Sequence, residues 1–251
     1  MIAHEAGELP GGRRMRKSVG MDEIASIITA IDTLSPFEPG SIYNAIRDDI
    51  LSGRLAANER LVVSTLAGRY GTSTNPVREA LQQLRGEGFV IFSHNRGARV
   101  RPIDEEFVRD IYEMEVLIEP YLTRSFVGLV TDVDIARLEA IQREIEALNF
   151  ADLKRNSELD TAFHRTVYDR HYNRHAFEMW WKHREILGAL SRGFPLSLGR
   201  RKAVIEEHRA LIAALRDHDE ERAAAVITAH VQGSGHHIVE QMRAARHASP
   251  L

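Results

Sequence analysis

The chain has 251 residues, of which 43% are hydrophobic and 27% are charged, a composition that predicts a globular protein long enough for two domains. It contains no Cys, which excludes disulfides and thiolate chemistry and limits any metal site to His, Asp and Glu ligands. No apolar run approaches the roughly 18 residues of a membrane span, and no signal-peptide pattern is present, so we expect a cytoplasmic protein.

Charge is unevenly distributed along the chain, whose formal net charge is -3. Residues 36–103 carry nine Arg and six acidic residues and form the only basic segment, whereas residues 104–251 carry 20 basic and 25 acidic residues. Arg suits bidentate contacts with phosphate and guanine. The basic segment is therefore compatible with nucleic-acid binding, although Arg scattered over a solvated surface would have the same composition.

The first 35 residues predict a tail followed by a short amphipathic helix. Residues 1–20 show no apolar period, whereas the Ile residues between Asp22 and Leu34 recur at helical spacing. Pro36 and the Pro39-Gly40 pair end this helix.

Residues 36–103 predict a winged helix-turn-helix domain. Ser41 and Ser73 are placed to cap helices, another short helix follows Ser64, and β-type segments flank a hairpin turn at residues 93–97. We expect the first turn of the helix after Ser73 to enter a DNA major groove, and the hairpin tip to lie on the adjacent DNA backbone or to reach into the minor groove. An ordinary surface helix and hairpin would show the same pattern. The residues predicted to contact DNA are Arg69, Ser73, Thr74, Asn75, Arg78, His94, Arg96 and Gly97.

Residues 104–245 predict an all-α domain. The apolar periodicity indicates helices at about 104–127, 132–148, 151–170, 173–193, 200–217 and 219–243. Thr131 and Asp134 have the spacing of a capping box. The predicted fold class is therefore mainly α, with an N-terminal winged helix-turn-helix and a C-terminal helical bundle of six or seven helices.

A group of His and Asp residues in this second domain has the spacing of a metal site. Asp160 and His164 are four residues apart on one predicted helix, and His208 and His230 lie on two later helices. One carboxylate and three imidazoles suit Zn²⁺, and Mn²⁺, Ni²⁺ or Fe²⁺ are also compatible. By spacing alone the pair at residues 171 and 175, both His, competes with the first pair.

The segment from Leu66 to Leu84, followed by Glu87-Gly88 and Arg96-Gly97, resembles the GntR family of bacterial transcription regulators. The resemblance implies binding to double-stranded operator DNA, with Arg78 as a DNA contact and Arg96-Gly97 in the wing. Family members usually have Arg where Thr74 stands and Thr where Asn75 stands. We therefore expect a different operator core, in which Asn75 can read an adenine.

The helical domain resembles the FCD-type effector domain of the FadR subfamily, in which an Asp and three His bind a metal. The resemblance rests on the segments Asp160-Thr161-Ala162-Phe163-His164, Glu207-His208 and Ala225 to His230, and it selects the group at 160, 164, 208 and 230 over the pair at 171 and 175. A further family segment usually has Arg where Glu115 stands. An acidic side chain there disfavours a simple organic acid bound in the family's usual way, unless Arg124, Arg184 or Arg192 compensates.

Our leading hypothesis is a homodimeric, ligand-responsive transcription regulator, most often a repressor in such families, with its effector bound at or near the metal. A metal-dependent hydrolase or isomerase using the Asp and three His is the alternative. We predict that the chain is not an enzyme, because no unligated general base accompanies the site and the winged domain would be unexplained. A purely structural metal is a third possibility.

Overall fold

The structure, a computed structural model, describes residues 41–93 and 97–248. The predicted tail, the predicted helix at 22–34, and His94 and Arg96 at the hairpin tip lie outside these residues. The described residues form nine helices and one three-stranded sheet, which confirms the mainly α fold class. None of the helices in this part of the chain combines the length and apolar character needed to cross a bilayer.

The N-terminal domain consists of three helices and the antiparallel sheet, whose strand order is β1-β3-β2. Its elements are α1 (Ile42–Leu51), β1 (Arg60–Leu61), α2 (Val63–Arg69), α3 (Thr74–Gly86), β2 (Val90–Ser93) and β3 (Gly97–Val100). The Ser41 hydroxyl accepts a hydrogen bond from the Asn44 amide and caps α1, as predicted. Ser73 precedes α3, but its side chain forms no capping bond.

Strand β1 was not predicted from the sequence. It has only two residues and is too short to show alternation. It forms because Arg60 and Leu61 pair with Arg99 and Ala98 of β3, a contact between residues that are almost 40 positions apart.

The C-terminal domain consists of six helices. They are α4 (Glu105–Val127), α5 (Asp132–Leu148), α6 (Leu153–Tyr168), α7 (Arg174–Gly193), α8 (Leu198–Arg216) and α9 (Glu220–Ala248). Each lies within about five residues of its predicted span. Thr131 and Asp134 form the predicted capping box at the start of α5. The domain core is made of buried apolar side chains from all six helices.

Helix α7 links the two domains. Its residues Ile186 and Leu187 are buried in the same apolar cluster as the core of the N-terminal domain. One position earlier, the Glu185 carboxylate accepts a hydrogen bond of 2.8 Å from Arg47 Nη1 of α1. The same helix therefore contacts the winged domain and the interior of the helical bundle.

Candidate metal centre and nucleic-acid interface

Three His side chains meet inside the helical bundle. His164 comes from α6, His208 from α8 and His230 from α9, and their exposed fractions are 1%, 1% and 6%. Each offers a ring nitrogen, and these nitrogens all lie within 4.8 Å of one another. The geometry therefore brings together three of the four predicted metal ligands, in a cluster that could hold a metal ion.

Two of the three rings are oriented by hydrogen bonds from outside the cluster. His208 Nδ1 lies 2.9 Å from the Gln142 side-chain oxygen, and His230 Nδ1 lies 2.8 Å from Glu207 Oε2. With Nδ1 occupied in this way, each ring can present Nε2 to an ion. Such outer partners commonly fix the tautomer and orientation of metal-binding His residues.

The unpaired atoms of the cluster fit a divalent cation. Both ring nitrogens of His164 and Nε2 of His208 are buried and have no hydrogen-bond partner. Each such group costs about 1–3 kcal/mol when it is left unsatisfied. Burial lowers the pKa of His208 to about 3 and holds the pKa of His164 well below its ordinary value, so both rings are neutral at pH 7. Neutral imidazole is the form that binds metals.

Asp160, the fourth predicted ligand, lies at the edge of the cluster. Its Oδ1 is 3.5 Å from His208 Nε2, whereas its Oδ2 is bound by the Arg184 guanidinium. Burial by itself would raise the pKa of Asp160, but attraction by the Arg184 guanidinium outweighs burial and lowers it. The carboxylate is therefore ionised, and one of its oxygens faces the cluster.

Glu119 is a carboxylate near the cluster that the sequence analysis missed. Its Oε2 lies 3.5 Å from His164 Nδ1 and accepts a 2.8 Å hydrogen bond from the Tyr168 hydroxyl. Burial raises the pKa of Glu119 to about 8, and the neighbouring Glu115 adds to the shift. The helical period of α4 does place residue 119 on a buried face, but its proximity to α6 depends on the packing of these two helices.

Arg200 supports the cluster from the side of His230. Its guanidinium donates to both oxygens of Glu207 at 2.8 Å, to the His230 carbonyl oxygen at 2.9 Å and to the Ser234 hydroxyl at 3.0 Å. It packs directly against the backbone at Gly233, where a Cβ atom would lie 2.5 Å from Nη1. A larger residue at position 233 would therefore require the Arg200 guanidinium to move.

A cavity of about 110 Å³ adjoins the cluster, and His230, Asp160 and Arg184 contribute to its lining together with Glu115 and Glu119. Arg184 is thus the one of the three proposed compensating cations that the structure places beside the site. Arg124 instead pairs with Glu220 and Glu221 at the surface. The side chain of Arg192 lies outside the described residues.

The competing pair of His residues does not join the cluster. His171 is buried, but its Nδ1 accepts a 3.0 Å hydrogen bond from the Asn173 amide and its ring stacks on Tyr172. His175 is exposed on the first turn of α7.

The first turn of α3 presents the predicted reading residues to solvent. Thr74, Asn75 and Arg78 are exposed, whereas Val77 and Leu81 on the opposite face are buried in the domain core. Arg78 has no ion-pair partner within the part of the chain that the structure describes. Its guanidinium can therefore bind a phosphate or a base without first breaking an internal contact.

The other predicted DNA contacts differ in their surroundings. Gly97 opens β3 with a φ of 73°, a conformation that favours glycine, and directly follows the hairpin tip. Arg69 lies at the end of α2, but its Nη2 is 2.7 Å from Asp49 Oδ2. The buried Asp49 carboxylate also binds Arg54 and the Tyr70 hydroxyl, so Arg69 belongs to an internal network.

Comparison with known families finds two matches along the chain. Residues 40–100 match the family described as bacterial regulatory proteins, gntR family, and residues 110–233 match the FCD domain. The first region contains the winged domain and the second contains the three clustered His.

Curated relatives match over most of their length. The chain is 27% identical to the Nta operon transcriptional regulator of Aminobacter aminovorans over 74% of this chain and 88% of the relative. It is 26% identical to the HTH-type transcriptional repressor GlaR of Escherichia coli over 75% and 90%. Among solved structures, E. coli McbR/YncC matches with a TM-score of 0.61 at 18% identity, over 80% of this chain and 96% of that one. At this identity the structural match shows the fold alone.

Proposed function

The chain belongs to the GntR family of bacterial regulatory proteins and is a DNA-binding transcriptional regulator, and on this premise we propose that it is a homodimeric repressor controlled by a small molecule. The effector binds in the cavity beside the His cluster, which holds a divalent metal ion. The location that fits a regulator acting on the chromosome is the cytoplasm. The observation that carries the proposal is the presence, in one chain, of an exposed reading helix and a buried His cluster next to a cavity.

DNA reading is assigned to the start of α3, with Thr74, Asn75 and Arg78 as the side chains that reach the major groove. These three residues lie on one exposed turn, which is the part of a recognition helix that contacts base edges. Gly97 and the neighbouring hairpin tip, with His94 and Arg96, are assigned to the wing. Ser73 and Arg69 are assigned contacts with the DNA backbone. Arg69 can make its contact only if its ion pair with Asp49 opens.

Dimerisation is assigned to the exposed apolar face of α4. Met114, Leu117 and Tyr121 recur at spacings of three and four residues, and Leu117 is 68% exposed. The Tyr121 hydroxyl lies 2.7 Å from that of the exposed Tyr172, which extends the patch. Contiguous exposed apolar surface of this kind marks protein interfaces, and a twofold axis would place two winged domains on two half-sites.

The metal is assigned to His164, His208 and His230, with Asp160 as the fourth ligand. Zn²⁺ suits this donor set, and Mn²⁺, Ni²⁺ and Fe²⁺ remain compatible. A bound ion would leave coordination positions for oxygen atoms of an effector. Arg184 would hold Asp160 in place, while Gln142 and Glu207 would orient two of the rings.

The test of DNA reading is selection of bound duplexes from a random library at a stated salt concentration, followed by titration of the enriched site. We expect a short palindrome, and we expect Arg78→Ala to weaken binding at least about fivefold. Arg143→Ala is the matched control, because Arg143 is an exposed Arg on α5, in the helical domain. Equal affinities of the two variants would refute the placement of the reading helix.

The test of the metal centre is zinc content and zinc affinity of purified protein. We expect His208→Ala to lose more than the roughly 10- to 100-fold in affinity that removal of a supporting residue costs. His175→Ala, an exposed His outside the cluster, should bind zinc as the parent protein does. Equal zinc binding by both variants would refute the site. Zinc binding that stabilises the protein, with DNA affinity insensitive to every ligand, would favour the structural role of the metal instead.

A further inference from the structure

The cavity beside the His cluster has a wall of buried carboxylates. Glu115 and Glu119 lie one helical turn apart on α4, and their exposed fractions are 1% and 6%. Both line the cavity, as does Asp160. A ligand that enters this cavity therefore meets hydrogen-bond acceptors on the side formed by α4.

The cations that line the same cavity are already engaged by the protein. Arg184 donates to Asp160 and, at 3.1 Å, to the Thr161 hydroxyl. Arg201 Nε donates to the Leu196 carbonyl oxygen at 2.9 Å, and its guanidinium lies over the Phe150 ring. A carboxylate of a ligand would have to displace one of these contacts to gain an Arg partner.

Glu115 lacks a cationic partner. Its Oε1 lies 2.6 Å from His183 Nδ1, and burial lowers the pKa of His183, which keeps that ring neutral. Burial raises the pKa of Glu115 to about 8, although Arg184 and a hydrogen bond with Glu119 partly oppose the shift. A positively charged ligand group beside Glu115 would be the cationic partner that this buried carboxyl group lacks, and it would stabilise the ionised form.

We propose that the cavity selects a small molecule with a cationic amino group, which binds Glu115, and with an oxygen ligand at its other end, which faces the His cluster. This inference rests on the proposed function, because it concerns the effector of the same site. The volume of about 110 Å³ limits the ligand to a small molecule, because a cavity of about 150 Å³ holds benzene. Glu115 is hydrogen-bonded to Glu119, whose carboxyl group is 3.5 Å from His164, so a short carbon chain can join the two ends of the ligand.

The test compares three molecules that share one carboxylate and differ at the other end. They are 4-aminobutanoate, 4-hydroxybutanoate and succinate, which end in an ammonium, a hydroxyl and a second carboxylate. Titration calorimetry on the zinc-loaded, full-length protein is expected to rank them in that order. The affinity for 4-aminobutanoate should exceed that for succinate by at least about tenfold.

Substitutions on α4 separate the role of Glu115 from a general effect on folding. Glu115→Gln should remove the preference for the ammonium compound and retain binding of 4-hydroxybutanoate, whereas Glu115→Asp should keep the preference. Glu113→Gln is the matched control, because Glu113 is exposed on the same helix. Melting temperatures of the variants establish that each is folded.

Three outcomes would overturn the inference. The first is tighter binding of succinate than of 4-aminobutanoate, and the second is an unchanged preference in Glu115→Gln. The third is no binding of any of the three molecules by a zinc-loaded protein that binds its selected duplex. Each of these would leave the proposed function as a regulator standing. A chain that binds neither zinc nor any selected duplex would overturn the proposed function itself, and this inference with it.

Discussion

Replacing Gly233 by Ala sets two opposite effects on stability against each other. Ala is favoured over Gly inside a helix by about 1 kcal/mol, so an unhindered substitution would stabilise α9. At this position, however, the new Cβ would lie 2.5 Å from Nη1 and 3.0 Å from Cζ of Arg200. The guanidinium must move, and its four hydrogen bonds to Glu207, the His230 carbonyl and Ser234 cannot all survive.

The loss is expected to exceed the gain. A hydrogen bond that involves a charged group contributes about 1.5–3 kcal/mol, and we expect the equivalent of one to two such bonds to be lost. After subtraction of the helix-propensity gain, the free energy of unfolding should fall by about 2 kcal/mol. For a chain of this size that corresponds to a decrease in Tm of roughly 4 to 8 °C. Because Arg200 holds Glu207 and Glu207 orients His230, zinc affinity should fall about 10-fold as well.

Thermal unfolding followed by circular dichroism, together with zinc titration, would measure both effects. Gly68→Ala is the matched control, because Gly68 lies inside α2 and a Cβ there would have no atom within 4 Å. That variant should be as stable as the parent protein or up to about 1 kcal/mol more stable, with unchanged zinc affinity. If Gly233→Ala behaved like Gly68→Ala in both assays, the argument that Arg200 supports the cluster would be refuted.

Three further predictions concern titration, coupling between domains and assembly. Raising the pH from 6.5 to 9 should lower the Tm through Glu115, because its pKa in the folded state, about 8, exceeds the ordinary 4.5. The stability contributed by the bound proton is lost as the pH rises through 8. Glu115→Gln should reduce the dependence of Tm on pH, and an equal dependence in the variant and the parent protein would contradict the prediction. Glu185→Gln breaks the 2.8 Å ion pair with Arg47, which joins the two domains. Fluorescence anisotropy would give the operator Kd with and without zinc, and the ratio of these two values should fall by up to about fivefold in the variant. An unchanged ratio would exclude coupling between the two domains through this pair. Leu117→Asp should shift the protein from dimer to monomer in sedimentation, whereas Leu198→Asp, at another exposed apolar residue, should not; a dimer in both cases would remove α4 from the interface.

Local patterns in the sequence were sufficient to predict the helices and part of the site. Helix boundaries depend on periodicity and capping, which involve residues three or four positions apart, so α4 to α9 and the capping box at Thr131 could be predicted from neighbouring residues. The same local rule places Asp160 and His164 on one face of α6. Selecting His208 and His230 as their companions required the family resemblance, because spacing along the chain does not show which of several His residues converge.

Only tertiary packing decided which groups support the cluster and which charges face the cavity. Gln142 and Glu207 reach the His rings from two other helix positions, and no local pattern distinguishes them from surface residues. Strand β1 exists only through its pairing with β3, and Gly233 matters only because Arg200 packs against it. The sequence alone determined that residue 115 is acidic. The packing of α4 against α7 buries Glu115 beside a neutral His, His183, and this burial is what favours a cationic ligand group there.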